Sequence, residues 1–231
     1  MAKRISKNLK NARESFDRTI AYELDQAIEL AKKTSYAKFD ASIDLAFNLN
    51  LDVRKADQQL RGAILLPNGT GKSVTVLVGT NNVEKQKLSK EAGADFVLDS
   101  QALEQKIKEN DFNFDVMVVD PTMMPLLGKY GKVLGPKGLM PNPKTGTVTP
   151  TPEKAVEELK KGKANYRTDK AGIVHSLIGK ASMSTEALVE NAKTLINLIK
   201  KLKPAAVKGT YMLNLTVSAS MGPSVKVKIE K

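Results

Sequence analysis

Several stretches of this chain carry residues whose type and spacing suit chemistry. Gly69-Thr70-Gly71-Lys72-Ser73 has the ending of a phosphate-binding loop, in which glycines let backbone amides approach a phosphate and a lysine neutralises it. That loop needs a further glycine at position 66 and a helix opening after the lysine. Leu66 stands at the first place and a strand pattern follows Lys72, so no helix N-terminus faces a nucleotide and the residues read as a turn. The segment Leu126–Pro150, LLGKYGKVLGPKGLMPNPKTGTVTP, has five glycines, four prolines and four lysines. Close backbone approach to phosphate and a structural linker both fit it. No GxGxxG follows the first α/β strand, where Gly79-Thr80-Asn81-Asn82 stands. Asp99, Asp115 and Asp120 sit at strand ends, where carboxylates serve as bases or metal ligands. Nothing pairs them with a nucleophile or a histidine, so solvated strand ends are the better reading.

Two further stretches suit nucleic acid. In VSASMGPSVKVK (217–228), Ser218, Ser220, Met221, Gly222 and Pro223 form a tight turn between two strands. Its hydroxyls and amides suit sugar and phosphate, and Met221 suits packing on a base; a plain hairpin loop fits too. Phe39 follows Lys38 where a strand begins, an aromatic beside a cation, suited to stacking on a base. The alternation of Ile43, Leu45 and Phe47 extends back to Phe39, so a core phenylalanine is the competing reading. His175, the single histidine, lies between apolar residues of a strand pattern and reads as structural or as an RNA contact rather than a base.

The elements that position these residues fall into two rhythms. Residues 3–15 read as a short basic helix or arm, 24–33 as a helix, 38–50 as an alternating strand and 61–66 as a second strand stopped by Pro67-Asn68-Gly69. From 73 to 161, strands at 73–79, 95–99 and 115–120 alternate with helices at 83–92, 100–109 and 152–161, the pattern of a small parallel α/β layer. The first rhythm then returns: a strand pair at 163–169 and 172–179, a long amphipathic helix at 184–202 ended by Pro204, and strands at 210–219 and 224–230. Neither flank is complete alone. The simplest architecture is one discontinuous basic domain, 1–67 with 160–231, and an inserted α/β domain, 68–159. The two crossings near Pro67 and Lys160–Lys163 would act as a double hinge.

Charge divides the same way. Residues 68–159 hold 11 Lys+Arg and 12 Asp+Glu, whereas the flanks hold 26 and 13, so the net +12 belongs to the two ends. A basic surface of this kind attracts polyanions, and nucleic acid is the commonest in a cytoplasm. With no cysteine and one histidine, disulfide scaffolds, thiolate zinc sites and histidine-rich metal clusters are excluded. No window approaches the roughly 20 apolar residues of a membrane span. The polar start MAKRISKNLKNARESF lacks the apolar stretch of a secretory signal, so a cytoplasmic protein is expected.

KFDASIDL (38–45), LRGAILLPNGTGKS (60–73), AGAD (92–95), GKYGKVLGPKGLMPNPKTGTVT (128–149), RTDKAGIVH (167–175) and KGTYMLNLTVSASMGPSV (208–225) resemble, in order, the hallmark segments of the bacterial L-one family of large-subunit ribosomal proteins, which form the mobile stalk near the tRNA exit site. The resemblance covers nearly the whole chain. It implies a discontinuous α+β rRNA-binding domain carrying a Rossmann-like, three-layer α/β insert. It also implies binding to large-subunit rRNA, contact with exit-site tRNA, and repression of the protein's own operon mRNA through a mimic of the rRNA site. Carried over by motif, the family's aromatic falls on Phe39, with Lys38 and Asp40 beside it. Its Thr-Met-Gly-Pro turn falls on Ser220, Met221, Gly222 and Pro223, with serine in place of the commoner threonine. Arg167, Thr168, Asp169 and Lys170 are expected near the same surface. No catalytic residue, cofactor, metal, membrane or small-molecule substrate is implied. Two rivals follow from the residues alone: an α/β enzyme acting on a nucleotide or phosphorylated substrate, and a basic DNA-binding regulator reading through the 184–202 helix with Asn191 and Asn197.

Overall fold

The structure, a computed structural model, describes residues 6–229. In chain order its elements are α1 (Lys7–Glu14), α2 (Leu24–Lys33), β1 (Ser42–Leu49), β2 (Arg61–Leu65), β3 (Val76–Gly79), α3 (Val83–Glu91), β4 (Phe96–Leu98), α4 (Ser100–Lys108), β5 (Val116–Val119), α5 (Met124–Lys129), α6 (Gly131–Leu134), α7 (Pro152–Lys160), β6 (Lys163–Thr168), β7 (Ile173–Lys180), α8 (Thr185–Lys201), β8 (Met212–Ala219) and β9 (Ser224–Val227). The fold is mixed α/β with two sheets. Residues 3–5 of the expected N-terminal helix, and residue 230 of the expected last strand, lie outside the described residues.

The chain forms two compact units, one from residues up to Lys72 and from Ala164 onward, the other Ser73–Lys163. These junctions lie a few residues beyond those read from composition, for local reasons. Asn68 donates its amide to Asn191 Oδ1 at 3.1 Å, and Asn191 Nδ2 donates to the Gly69 carbonyl at 2.9 Å, so the Asn68-Gly69 turn is fastened to α8. At the other junction, Lys160 pairs with Asp95 at 2.7 Å and Lys163 with Glu158 at 2.7 Å, both within the inserted unit.

The terminal unit is a six-stranded sheet in the order β2-β6-β7-β1-β8-β9. β1 lies at its centre, antiparallel to β7 and to β8. Side chains alternate across a strand, so β1 buries Ile43, Leu45, Phe47 and Leu49 on one face. Ala27, Ile28 and Ala31 of α2 and Leu188, Ala192, Leu195 and Ile199 of α8 close over that face. Ser184 caps α8 by accepting from the Ala187 amide, and Lys200 and Lys201 occupy its last turn, as the helix dipole favours. Gly179 lies where a Cβ would come within 2.6 Å of the Leu188 side chain, and this close approach coincides with a bulge in the β1–β7 register.

The inserted unit is a parallel sheet in the order β4-β3-β5. Leu77, Met117 and Val119 pack on one face with Leu103 and Ile107 of α4, Leu127 of α5 and Leu134 of α6. Val76, Val78 and Val118 pack on the other with Ala155, Val156 and Leu159 of α7, beside which α3 lies. The Gly/Pro/Lys segment, read from sequence as loop or linker, contains the second half of α5 and all of α6. Its apolar anchors Leu127 and Leu134 are buried, and Tyr130 donates its hydroxyl to Glu104 at 2.6 Å.

Candidate nucleic-acid interface

Register places the functional side chains of the terminal unit. The residues of β1 that point away from α2 and α8 are Ser42, Asp44, Ala46 and Asn48. Directly paired residues share a face, so Ala46 and Asp44 each lie in a mostly polar row across the sheet. Ala46 faces His175 and Thr216, His175 faces Arg167, and Thr216 faces Lys226. Asp44 faces Leu177 and Ser218, and Ser218 faces Ser224. Arg167, His175 and Lys226 are exposed along this face. Burial raises the Asp44 carboxyl above its ordinary range, although the charges of His175 and Lys180 pull it down. The face thus offers two exposed cations and one histidine, with hydroxyls between them.

At one end of the face stand two large exposed apolar side chains, Phe39 at 56% and Met221 at 66% exposure. The competing reading, in which Phe39 continues the core face of β1, is overturned. The strand begins at Ser42, and the preceding residues bend, so the alternation does not reach position 39. Lys38 and Asp40 are exposed beside it. Asp40 anchors the segment: its carboxylate accepts from the Ser182 amide at 3.1 Å and the Ser182 hydroxyl at 2.9 Å. Lys180 adds a bond to the Ser42 hydroxyl at 3.1 Å.

The Met221 turn is tied to the same strand end. The Ser220 amide donates to the Ser42 carbonyl at 2.9 Å, and the Ser220 hydroxyl accepts from the Ser42 amide at 3.2 Å. Ser220 is therefore half-buried and engaged with β1, and Pro223 is buried. Gly222 closes the turn by donating to the Ala219 carbonyl at 2.9 Å. Met221 itself has φ +64°, the left-handed region, which costs a side-chain-bearing residue roughly 1 kcal/mol or more. Strain and exposed apolar surface thus coincide at one residue.

Arg167–Lys170 lies elsewhere. β1 and β7 run antiparallel, with Ser42 opposite Lys180 and Asn48 opposite Ile173, so the β6–β7 turn is at the far end of the face. Six strand residues separate the ends, about 20 Å. Arg167 itself joins the His175 row of the open face, while Asp169 and Lys170 lie at the turn beyond it. Thr168 is not available as a contact: it is buried, and its hydroxyl accepts from the Leu60 amide at 3.0 Å and donates to the Leu60 carbonyl at 3.2 Å. Asp169 shapes the turn, accepting from the Ile173 and Ala171 amides at 2.8 Å each, and the Ile173 bond leads in holding its carboxyl below the usual range. Arg167 and Lys170 remain exposed, lining with Val53 and Gln59 a shallow recess of about 560 Å³.

The rival chemistries find no site of their own among the described residues. Asp120 is buried and accepts from the Thr80 hydroxyl and, at 2.9 Å, from Lys85. Asp99 caps α4 through the Ala102 amide, and Asp115 accepts from the Thr75 amide at 3.1 Å. No group of three metal-ligating side chains occurs among the described residues, and none of their helices is long and apolar enough to cross a membrane. Lys72 leads into β3 and not into a helix. Asn191, a candidate base reader for a DNA regulator, is fully buried and donates to the Ile178 carbonyl at 2.8 Å as well as to Gly69. Sequence reasoning missed Asn191 as a core clamp and missed the Arg167–His175–Thr216–Lys226 row; the 2-residue period hinted at the row, but the register that aligns it is non-local.

A polar, cation-bearing sheet face with apolar side chains exposed at one end, and no catalytic or metal cluster among the described residues, is the surface of a polyanion-binding protein class. The comparisons sharpen that class. Residues 31–223 match the model of the "Ribosomal protein L1p/L10e family". Similar relatives are the "Large ribosomal subunit protein uL1" of Mycoplasmopsis synoviae, 78% identical, and of Mycoplasmopsis agalactiae, 75% identical, each over the full length of both chains. That of Mycoplasmopsis pulmonis is 69% identical over the full length of both chains. This chain belongs to the ribosomal protein L1p/L10e family. It is an RNA-binding ribosomal protein of the cytoplasmic translation machinery, not an enzyme.

Proposed function

We propose that the protein is a structural constituent of the large ribosomal subunit whose terminal unit grips folded rRNA on the open face of its six-stranded sheet. The observation that carries this reading is the pairing of Phe39 and Met221, both exposed, at one end of that face. Large apolar side chains held out in water, one of them in a strained backbone, are positions prepared for a partner. In this reading Phe39 and Met221 pack on bases or sugars, and Lys38 and the Ser218 hydroxyl bond the backbone. Asp40, Ser220, Gly222 and Pro223 hold the contact residues in place. Recognition rests on backbone and 2′-hydroxyl contacts more than on base edges. The terminal unit is then the rRNA-binding domain, and Ser73–Lys163 a Rossmann-like insert.

The far end supplies a second contact. Lys170, on the β6–β7 turn about 20 Å along the strands from the Ser42 end, meets another RNA while the first stays bound. Exit-site tRNA, leaving past the stalk, is assigned there. The protein's own operon mRNA, by contrast, occupies the rRNA site and represses translation by mimicking it. Binding of a large-subunit stalk fragment, a duplex DNA of equal charge and the operon leader, across several salt concentrations, tests the scheme. It expects tight, RNA-selective binding at near-physiological salt, with leader and rRNA fragment mutually exclusive. Equal, steeply salt-dependent binding to RNA and DNA would reduce the interface to unspecific charge.

A further inference from the structure

The turn that carries Met221 has a chemistry of its own. A thioether is oxidised by hydroperoxides wherever its sulfur is open to solvent. Among the described residues, Met117, Met123 and Met212 are buried, while Met124, Met140 and Met183 are half-buried. Met183 also has its sulfur engaged by the Lys180 amide at 3.5 Å. Met221 is the exposed one, on a left-handed backbone that presents it at the tip of the turn. The chain has no cysteine, so no thiol of its own competes for the oxidant.

We propose that Met221 is a redox modification site: a hydroperoxide converts its thioether to the sulfoxide, and the sulfoxide form loses RNA. The proposal rests on the RNA-binding reading of this turn. In the step, a sulfur lone pair attacks the terminal peroxide oxygen, the S–O bond forms as the O–O bond breaks, and the departing oxygen, taking up the proton, leaves as water from hydrogen peroxide or as the alcohol from an organic hydroperoxide. Sulfur gives up two electrons and the peroxide gains them. A dithiol reductant reverses the change, taking the oxygen as water and becoming a disulfide. The modification replaces an apolar contact by a dipole whose negative end is an oxygen, placed against a partner rich in phosphate oxygens. Bound RNA covers the sulfur, so the oxidant selects copies not yet assembled.

The test treats the full-length protein with dilute hydrogen peroxide, maps oxygen gain by peptide mass, and measures affinity for an rRNA stalk fragment. Met221 is expected to gain oxygen several-fold faster than Met124 or Met140. Affinity is expected to fall about tenfold and to return after treatment with a methionine sulfoxide reductase. The Met221→Leu variant, which has no sulfur at that position, is compared with its own untreated sample, and peroxide leaves whatever affinity it starts with unchanged. Oxidation of Met221 no faster than the half-buried methionines overturns the proposal, as does an equal loss of affinity in Met221→Leu. Unmodified Met221→Asp separates the two layers. If it binds RNA as the parent does, the RNA reading of the turn fails. If it binds poorly while the sulfoxide form binds undiminished, the redox step alone fails.

Discussion

The two sheets differ in what covers them. The inserted sheet β4-β3-β5 is packed on both faces, and the carboxylates at its strand ends are engaged inside the unit: Asp120 by Thr80 and Lys85, Asp99 by the cap of α4. The terminal sheet packs on one face only, and its other face carries Arg167, His175 and Lys226 into solvent. A parallel sheet needs helical crossovers, which bury it from both sides; an antiparallel sheet needs none, and so leaves a face for a partner. The contrast supports the proposed placement of RNA binding on the terminal unit; the strand-end carboxylates that invite an enzymatic reading belong to the inserted one.

The comparison can be broken in several places. The largest effect is expected from Asn191→Leu, which strips donors from the Gly69 and Ile178 carbonyls and an acceptor from the Asn68 amide. Stability should drop by about 3 kcal/mol in chemical denaturation followed by circular dichroism. Next comes Met221→Asp, which sets an unpaired negative charge against RNA. Affinity should fall roughly 100-fold, with an unchanged denaturation midpoint, because the side chain is exposed. Unaltered affinity in the folded variant would move the site away from this turn. Arg167→Ala should weaken binding modestly and lower the slope of log affinity against log salt by about one, the sign of a lost phosphate contact.

The smallest effect concerns the closed unit. The Asp95 carboxyl is held below its ordinary range first by its bond from Lys160, then by the Val76 amide. A lowered carboxylate stabilises the fold at pH above its unfolded value, and that share is lost as pH falls through the folded value. Asp95→Asn should therefore flatten the acid side of the stability profile. It should cost at most about 1 kcal/mol at neutral pH, since the pair is partly solvent-exposed.

Much of this was legible beforehand because its signals are local. The helix at α8 shows its stripe, its Ser184 cap and its closing lysines within a single stretch, and the strand–helix alternation of the insert needs no distant partner. The candidate site was less legible. Phe39 reads as core if the alternation of β1 is extended by one step too many; the bend held by Asp40 and Ser182, distant in sequence, stops it. Arg167–Lys170 reads as one contact near the same surface until the register leaves Arg167 in the His175 row and sends the turn with Asp169 and Lys170 to the other end. Thr168 reads as a contact until its hydroxyl is found on Leu60. The glycines and prolines of the 126–150 segment mask the end of α5 and the whole of α6, because the buried Leu127 and Leu134 outweigh weak helical propensity.

The strand order has a consequence for synthesis. β1, made early, finds its neighbours in β7 and β8, which leave the ribosome only after the whole insert has been made. The insert can close on itself while the apolar face of β1 still waits for its partners. During that interval the nascent chain carries an unpaired, half-apolar strand, the kind of segment that chaperones shield. The six-stranded sheet thus closes only after the insert has been made, whatever the insert does meanwhile.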